Sequence, residues 1–302
     1  MNLIATAESR EQAEMLLAAG ADTLLVGTDP FGLRLPSSLD LSAIEDITEL
    51  AHSRTKKLTV ACNALMHNAQ IDQLTDYLSR LAELGVDAVT VGDPGVVFII
   101  EELQLPLPYI YDAETLVTSS RQIAFWLKRG AIGAVAAREL TLEELKKIQD
   151  KLDMPLEVLV YGPTCIHQSA RPLLSNYNHY AGLDQRTDKS CHLFLRDPKN
   201  KDSQYPIYED NSGTHIFSTV DLSLMSELQK VYDAGLQTWK LDGVLLEGTP
   251  FVEIVRLFAE AGRALEAGSF VSASFCNRLR ALQPSTRPLG TGFYLKNPED
   301  VH

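Results

Sequence analysis

Short apolar runs alternate with amphipathic stretches along most of the chain. The runs are rich in β-branched and aliphatic residues, a composition typical of buried strands. Eight such strands are predicted, at Leu3–Thr6, Thr23–Gly27, Leu58–Cys62, Ala88–Gly92, Pro108–Asp112, Ile132–Ala136, Leu156–Tyr161 and Thr238–Asp242. Helical periodicity predicts a helix after most of them. These helices are predicted at Glu11–Ala19, Leu41–Arg54, Ile71–Leu84, Ser120–Arg129, Leu142–Leu152, Leu222–Ala234 and Phe251–Leu265.

Four junctions repeat one pattern, in which a helix ends at a Gly and an apolar strand follows. They are AAGADTLLVG (18–27), LGVDAVTVGD (84–93), RGAIGAVAARE (129–139) and AGLQTWKLDG (234–243). Gly ends a helix cheaply because it adopts the left-handed conformation without strain. Eight βα units in roughly 265 residues predict an α/β fold of the (β/α)₈ TIM-barrel type over residues 1–267. An open doubly wound sheet is the alternative, and its dinucleotide-binding form is weakened because no GxGxxG follows the first strand.

The predicted seventh strand leads into the longest irregular part of the sequence. The apolar pattern breaks at Gly162-Pro163, and residues 163–220 lack a helical period but contain a hairpin signal at 209–213. A loop this long inside a compact domain is typical of a lid or binding element. We therefore expect an inserted lid after strand seven. A further helix is predicted at Phe270–Leu282, in a segment (268–302) expected to pack on the barrel as a helix and tail.

Composition and charge narrow the functional classes. The chain has 302 residues, 45% of them hydrophobic, and a formal net charge of −13 from 27 Lys and Arg against 40 Asp and Glu. Clustered basic residues bind nucleic-acid backbones, so this chain is expected to bind nucleic acid only with a partner that supplies basic surface. No apolar run approaches the ~20 residues of a membrane span, and we expect a cytoplasmic protein without membrane contact. The four cysteines form no CxxC pair and predict no disulfide framework.

Candidate site residues follow from the predicted barrel, because functional side chains gather at the carboxyl ends of its strands. Arginine binds carboxylates and phosphates through two parallel hydrogen bonds, so several loop arginines together indicate an anionic ligand. The residues predicted to bind a ligand are Arg34, Asn63, Arg138, Tyr161 and Arg171. The predicted catalytic residues are Glu139, Lys240 and Asp242.

Non-catalytic interpretations remain open at several of these positions. Asp93, which precedes Pro94-Gly95, is more typical of a helix N-cap than of a catalyst. Glu139 would equally serve to neutralise the neighbouring arginine. A buried pair of Lys240 and Asp242 would equally serve only to hold the barrel together.

Cysteine and histidine patterns give two weaker hypotheses. Cys165-x-His167 and Cys191-His192 supply metal-ligand types, but a metal site is weakly indicated without a CxxC pair. Ser169 and Asp221, with His167 or His215, supply the residue types of a nucleophilic triad. No GxSxG motif supports that triad.

A series of motifs, in order along essentially the whole chain, resembles the peptidase U32 (collagenase-like) family. The motifs are GTDPFGLR (27–34), CNALMHN (62–68), GDP (92–94), AAREL (136–140), LEVLVYGPTC (156–165), SARPLLSNY (169–177), YPIYEDNSGTHIFSTVDLSLM (205–225) and WKLDGV (239–244). The ending RPLGTGFYLK (287–296) is similar to that of the shorter subunit of a two-protein system. That system is linked to 5-hydroxyuridine at the wobble position of tRNA, with prephenate as a required metabolite.

The resemblance also implies which cysteines are missing. Iron–sulfur members of the family bind a cluster through four cysteines, of which the first falls on Cys165 and the third on Cys191. The second position is Pro172 and the fourth is Ser223. Proline has no ligating side chain and serine is a poor iron ligand. We therefore expect the two cysteines to be remnants of the cluster set, with no iron–sulfur cluster or other metal in this chain and with prephenate or another small anion as ligand.

The resemblance implies a subunit of a prephenate-dependent tRNA hydroxylation system. A cysteine-complete paralogue would carry the cluster, and tRNA would be bound through the complex. A peptidase acting on peptide or collagen-like substrates is the second hypothesis, although neither a nucleophile–base pair nor an HExxH motif is apparent in the sequence. A non-catalytic scaffold is the third. Whether the chain is itself an enzyme is left open.

Overall fold

The computed structural model describes residues 1–246 and 248–297, and its strands form one twelve-stranded sheet. The strands are β1 (Asn2–Thr6), β2 (Thr23–Gly27), β3 (Lys57–Cys62), β4 (Ala88–Val91), β5 (Tyr109–Tyr111), β6 (Ala131–Val135), β7 (Leu156–Ser169), β8 (Leu193–Asp197), β9 (Asn200–Asp210), β10 (Gly213–Ser223), β11 (Thr238–Leu241) and β12 (Leu289–Gly290). The helices are α1 (Arg10–Ala19), α2 (Leu41–Ser53), α3 (Asn68–Glu83), α4 (Pro94–Glu102), α5 (Ser120–Leu127), α6 (Leu142–Gln149), α7 (Leu173–Ala181), α8 (Leu228–Asp233), α9 (Thr249–Glu266) and α10 (Ser272–Leu282). Short 3₁₀ helices lie at Glu114–Leu116, Lys189–Cys191 and Met225–Glu227.

Eight parallel strands, β1 to β7 and β11, close into a barrel. Consecutive strands pair from β1 to β7, and β11 completes the ring by pairing with both β1 and β7. Within β11, Lys240 lies opposite Ile4 on one side and Leu159 on the other. The predicted (β/α)₈ fold class is confirmed. The open doubly wound sheet is excluded, because the two edge strands of such a sheet would not be joined.

Most predicted helices are present with ends shifted by a few residues, one begins later than predicted, and α4 is a helix that is not predicted. Helix α4 follows a strand for which no helix is predicted, and its N-cap is Asp93, whose carboxylate accepts a hydrogen bond from the backbone of Gly95 at 2.8 Å. The N-cap interpretation of Asp93 is therefore confirmed. The helix predicted to begin at Leu222 is wrong at that end, because Leu222 still belongs to β10 and pairs with Gly162.

The main hydrophobic core lies between the barrel strands and the surrounding helices. Trp239, Phe251 and Phe258 are its largest fully buried members on the β11 and α9 side. Burying one such side chain contributes roughly 1.5–3 kcal/mol. A smaller apolar cluster of Ile4, Leu25 and Ala61 forms separately from this core. Lys240 pairs with Ile4 of that cluster, so a charged group stands next to the apolar interior of the barrel.

Strand β7 extends well beyond the barrel. It continues to Ser169, and its outer half pairs antiparallel with β10. The break predicted at Gly162-Pro163 is wrong, because β10 supplies hydrogen-bond partners that the local sequence does not reveal. Gly162 has φ of 134°, and a Cβ there would lie 2.5 Å from the carbonyl oxygen of Asp242. Only glycine lets the chain pass β11 this closely and continue outward.

The inserted segment is built on the extension of β7. Strands β9 and β10 form a hairpin in which Gly213 lies opposite Asp210, which confirms the hairpin signal, and β8 pairs with β9. Helix α7 is not predicted by the sequence pattern, so the expectation of an irregular segment is wrong there. Its first turn is bound by the Glu209 carboxylate, which accepts hydrogen bonds from the backbone of Leu174 and Ser175. A carboxylate at a helix N-terminus stabilises the helix.

The C-terminal segment lies along the barrel. Helix α10 contacts α9, and β12 pairs with β10 at Asp221 and Leu222. Buried Arg287 forms an ion pair with Asp221. The division of the chain at residue 267 stays a prediction, and the predicted tail residues 298–302 lie outside the described residues. Within the described ranges, no helix is both long and apolar enough to cross a membrane.

Candidate functional site at the barrel mouth

A cluster of charged residues centred on Glu114 lies at the carboxyl ends of the barrel strands. Glu114 follows β5, whereas Arg34 and Arg138 follow β2 and β6. One carboxylate oxygen of Glu114 is 2.5 Å from Nη2 of Arg34, and the other is 3.9 Å from Nη2 of Arg138. One carboxylate therefore faces two guanidinium groups.

Burial and charge oppose each other in this cluster. Burial raises the pKa of Glu114, but the charges of Arg34 and then Arg138 lower it, and the pKa falls to about 2. Burial lowers the pKa of Arg34, but the Glu114 carboxylate outweighs it, and the pKa lies above its ordinary value. Both partners are therefore charged at neutral pH.

The backbone at Arg34 and Glu114 is unusual. The φ angles are 51° and 53°, in the left-handed region that non-glycine residues seldom adopt. Such a residue costs about 1–3 kcal/mol, persists only where its surroundings hold it, and is common at functional sites. Arg34 is held by Glu114 and also donates from Nη1 to Oε1 of Gln168 at 2.8 Å. Because Gln168 is in the extension of β7, this bond joins the barrel mouth to the insertion.

Asn63 and Asp112 connect the loops of the mouth. Nδ2 of Asn63 donates to Oδ2 of Asp112 at 2.8 Å, and Oδ1 of Asn63 accepts from the backbone of Leu33 at 3.0 Å. Burial raises the pKa of Asp112, and so does the charge of Glu114, against Lys240 and other groups that lower it. Asn63, predicted to bind a ligand, thus links the loop before Arg34, through its oxygen, to Asp112 after β5, through its nitrogen.

A third carboxyl group, Glu157, is the second residue of β7 and lies near Lys240, toward the amino ends of the barrel strands. Oε1 of Glu157 is 4.0 Å from Nζ of Lys240 and has no hydrogen-bond partner among the described residues. Burial raises the pKa of Glu157 to about 7 even though Lys240 lowers it. A carboxyl group with this pKa exchanges its proton near neutral pH, as general acids and bases do. Glu157 is not among the residues predicted from the sequence.

Tyr161, predicted to bind a ligand, lies on the outer side of the barrel. Its hydroxyl donates to Oε1 of Gln283 at 2.6 Å, and its ring contacts Phe258 with centroids 5.9 Å apart. The side chain points outward because the pairing of β7 with β11 is irregular at this point. Leu241 lies opposite Tyr161, and Val160 is the extra residue in β7. One extra residue moves the following side chain to the opposite face of a strand.

Three other predicted residues are not brought together with the Glu114 cluster by any contact among the described residues. Glu139 is exposed in the turn after β6, and Arg171 is exposed beyond the outer end of β7. Asp242 is buried, and its Oδ1 accepts from a backbone N–H two residues further on at 3.0 Å. Lys240 forms an ion pair with Glu157 and, within the described residues, none with Asp242. The Lys240–Asp242 pair is therefore not formed, and the catalytic roles stay predictions.

The nucleophilic triad considered from the sequence is not assembled. His215 bonds to Asp210 at 2.8 Å rather than to Asp221. Asp221 is held by Arg287, and the hydroxyl of Ser169 accepts from a backbone N–H two residues further on at 3.2 Å. The hypothesis of a Ser169 nucleophile is wrong in this geometry.

The residues present do not fit a four-cysteine iron–sulfur cluster. In the described part of the chain, no group of three or more His, Cys, Asp or Glu side chains is arranged to hold a metal ion. Cys165 and Cys191 are free thiols, and the Cys191 thiol donates to Asp188 at 3.6 Å. The other two positions hold Pro172, the residue before α7, and Ser223. That this chain carries no cluster stays a prediction.

Comparison with known proteins identifies the family. Residues 8–302 match the family model of peptidase family U32. The chain belongs to this family. Among its relatives, tRNA hydroxylation protein P2 of Bacillus subtilis (strain 168) is 36% identical over 301 residues, with 97% of each chain covered. tRNA hydroxylation protein P1 of the same organism is 28% identical over 254 residues, which cover 80% of this chain and 58% of P1.

The fold is shared with a solved member of the family. The structure of the U32 peptidase Mk0906 superposes with a TM-score of 0.52 at 16% sequence identity. The superposition covers 82% of this chain and 94% of that one. At this identity the likeness supports the barrel architecture alone.

Proposed function

We propose that this U32 protein is a subunit of a tRNA hydroxylation system in the cytoplasm. Its barrel mouth would bind a small anionic metabolite, prephenate or a similar carboxylate. The observation that carries the proposal is the 36% identity to tRNA hydroxylation protein P2 across 97% of both chains. The arginines around Glu114 support the anionic ligand.

Arg138 is the group in the mouth best placed to bind an anion. Its side chain is 16% exposed, against 4% for Arg34. Its one ion-pair partner among the described residues is Glu114, at the long distance of 3.9 Å. Since Glu114 is already bound by Arg34 at 2.5 Å, Arg138 has donors available for a ligand carboxylate. Arginine binds such a group with two parallel hydrogen bonds.

A cysteine-complete paralogue is the proposed partner. Two of the four cluster positions hold Pro172 and Ser223 here, so cluster chemistry would have to come from another chain. Leu65, Leu116 and Ile166 are 73%, 65% and 52% exposed. They lie after β3, after β5 and on the extension of β7, all at the mouth end of the barrel. Exposed apolar groups at one end suit a protein partner.

Binding of tRNA through the complex follows from charge. A net charge of −13 repels phosphate backbones, so tRNA affinity would come mainly from the partner. In this scheme, our chain binds and positions the metabolite in the mouth.

Deletion of the gene in its source organism tests the proposed role. Mass spectrometry of tRNA nucleosides is expected to show loss of 5-hydroxyuridine derivatives and their return with the wild-type gene. The strain should also lack any redundant hydroxylation route. Unchanged 5-hydroxyuridine in that strain would contradict the proposal.

Calorimetry with prephenate tests the ligand. In the complex, Arg138→Gln is expected to weaken binding at least about tenfold, which corresponds to ~1.4 kcal/mol. The matched control is Arg80→Gln, because Arg80 pairs with Glu83 on the exposed face of α3. Equal affinity of both variants would argue against the mouth as the binding site.

Metal analysis tests the absence of a cluster. The anaerobically purified chain is expected to contain no stoichiometric iron or sulfide. About four irons per chain, the content of a [4Fe–4S] cluster, would overturn this expectation.

A further inference from the structure

Helix α7 of the insertion has an inverted arrangement of apolar and polar side chains. Its large apolar residues Leu173, Tyr177 and Tyr180 are 40%, 60% and 90% exposed, whereas the polar residue Asn178 is buried. A surface helix ordinarily turns its apolar stripe toward the core and its polar residues toward solvent. The apolar stripe of α7 therefore faces away from the body of the protein.

Polar contacts attach the inner side of α7 to the insertion. The backbone N–H of Leu173 donates to the hydroxyl of Thr214 at 2.9 Å, and the Glu209 carboxylate binds the next two backbone N–H groups. Nδ2 of Asn178 donates to the carbonyl oxygen of Gln185 at 2.9 Å. The helix is thus held in place by polar groups, and its large apolar side chains are left free for a partner.

The two tyrosines of α7 lie next to each other. Leu173, Tyr177 and Tyr180 are separated by four and then three residues, so their side chains form one row along the helix. Asn176 is exposed one turn before Tyr180, so a hydrogen-bonding amide stands beside the rings. Two neighbouring aromatic rings with adjacent polar groups are typical of surfaces on which unpaired bases stack.

The charge of this segment differs from that of the whole chain. Residues 163–183 contain no Asp or Glu, although 40 of the 302 residues of the chain are acidic. Arg171 lies two residues before α7, is exposed, and has no ion pair with another described residue. Glu209, which contacts the start of α7, is buried against the helix backbone. The segment therefore lacks the excess of negative charge that repels phosphates from the chain as a whole.

We propose that the outer face of α7 binds unpaired bases of an RNA loop, which stack on Tyr177 and Tyr180 while Arg171 contacts a phosphate. The choice of RNA rests on the proposed function. Bases of any sequence stack on aromatic rings, since every base has a π face. Stacking does not depend on the net charge of the protein, so an acidic chain can position RNA that its partner attracts.

The α7 face is close to the barrel mouth along the chain. Gln168 accepts a hydrogen bond from Arg34 of the mouth at 2.8 Å, and α7 begins five residues later at Leu173. Five residues span at most roughly 18 Å. An RNA loop held on α7 thus has neighbouring nucleotides within reach of the mouth.

The composition of the face favours RNA over a second protein. The exposed residues assigned to the paralogue, Leu65, Leu116 and Ile166, are aliphatic. The face of α7 instead combines tyrosine rings with the exposed amide of Asn176 and the exposed imidazole of His179. Amide and imidazole groups form hydrogen bonds with the edges of unpaired bases.

Fluorescence anisotropy tests this surface with the full-length chain and a labelled single-stranded RNA of about ten nucleotides at low salt. Tyr177→Ala and Tyr180→Ala are each expected to weaken binding at least about fivefold, because a stacking ring is lost. The matched control is Phe98→Ala, which removes a ring that is 62% exposed on α4 and should leave RNA binding unchanged. All three rings are exposed, so the urea unfolding midpoints of the variants should match that of the wild type.

Two further measurements test the parts assigned to base and phosphate. An RNA duplex of the same sequence is expected to bind at least about fivefold more weakly, because its bases are already stacked on each other. Arg171→Gln is expected to lower the slope of log affinity against log salt by about 0.7, the value for one phosphate of a single strand.

Three results would overturn the proposal. The first is RNA binding by the tyrosine variants equal to that of Phe98→Ala, and the second is no binding of the single strand by the wild type. The third is unchanged RNA binding together with lost co-purification of the paralogue, which would assign the face to a protein partner. The assay needs neither the metabolite nor hydroxylation, so its failure is distinct from unchanged 5-hydroxyuridine in the deletion strain.

Discussion

Replacing Glu114 by Gln removes the one carboxylate shared by Arg34 and Arg138. The folded-state pKa of Glu114 is about 2, against an ordinary value of 4.5. At 1.36 kcal/mol per pKa unit, this difference is worth roughly 3 kcal/mol of stability at pH 7. Removing one partner of a buried ion pair costs about 3–5 kcal/mol, which agrees. Because the folded-state pKa is lowered, the stabilisation is present above pH 4.5 and is lost as the pH falls toward 2.

Urea unfolding at pH 7 and pH 3 measures this contribution. We expect Glu114→Gln to be less stable than the wild type by roughly 3 kcal/mol at pH 7, and the difference to shrink by more than half at pH 3. The control is Glu83→Gln, which removes an exposed pair with Arg80 on α3 and should cost less than about 0.5 kcal/mol. A loss no larger than that of the control, or one independent of pH, would refute the reasoning.

Two further substitutions test features of β7 outside the Glu114 cluster. Gly162→Ala is expected to destabilise the protein by more than ~2 kcal/mol in urea unfolding, because its Cβ would collide with the carbonyl of Asp242. Gly182→Ala, at positive φ with open space around it, should cost only about 1 kcal/mol, and equal losses would argue against close approach. Tyr161→Phe should lose about 1 kcal/mol with its bond to Gln283 yet keep prephenate binding in calorimetry. Loss of prephenate binding in this variant would instead support the prediction that Tyr161 binds the ligand.

The barrel is predictable because its signals are local. Each helix–Gly–strand junction and each apolar run depends on neighbouring residues, and the left-handed φ of 112° at Gly20 is an example. The extension of β7 depends instead on β10, more than 40 residues away, as the pairing of His167 with Ile216 shows. Helix α7 depends on Glu209 in the same way. Contacts at such separations leave no periodicity in the segment they stabilise.

The residues of the candidate site show the same difference between local signals and long-range contacts. Arg34, Arg138 and Lys240 are predictable because strand-end position and charge mark them. The position of Tyr161 on the outer side of the barrel is not predictable from the sequence. One extra residue in a strand turns the following side chain to the opposite face, and this irregularity arises from the pairing of β7 with β11.

The Asp210–His215 pair had a usable signal in the sequence. With Gly213 opposite Asp210, the hairpin puts Tyr208 opposite His215 and Asp210 diagonal to it. Diagonal residues on one face of a hairpin are within reach of each other. The turn signal at 209–213 is thus sufficient to predict this contact.

The amount of 5-hydroxyuridine in tRNA, measured by nucleoside mass spectrometry in the deletion strain, tests the role of the barrel mouth most directly. The strain is complemented with wild type, Arg138→Gln or Arg80→Gln at matched protein abundance. Arg138→Gln is predicted to restore less than about a tenth of the wild-type level, because the ligand carboxylate loses its bidentate partner. Arg80→Gln is predicted to restore it fully. Full restoration by Arg138→Gln would contradict a functional mouth and favour a scaffold.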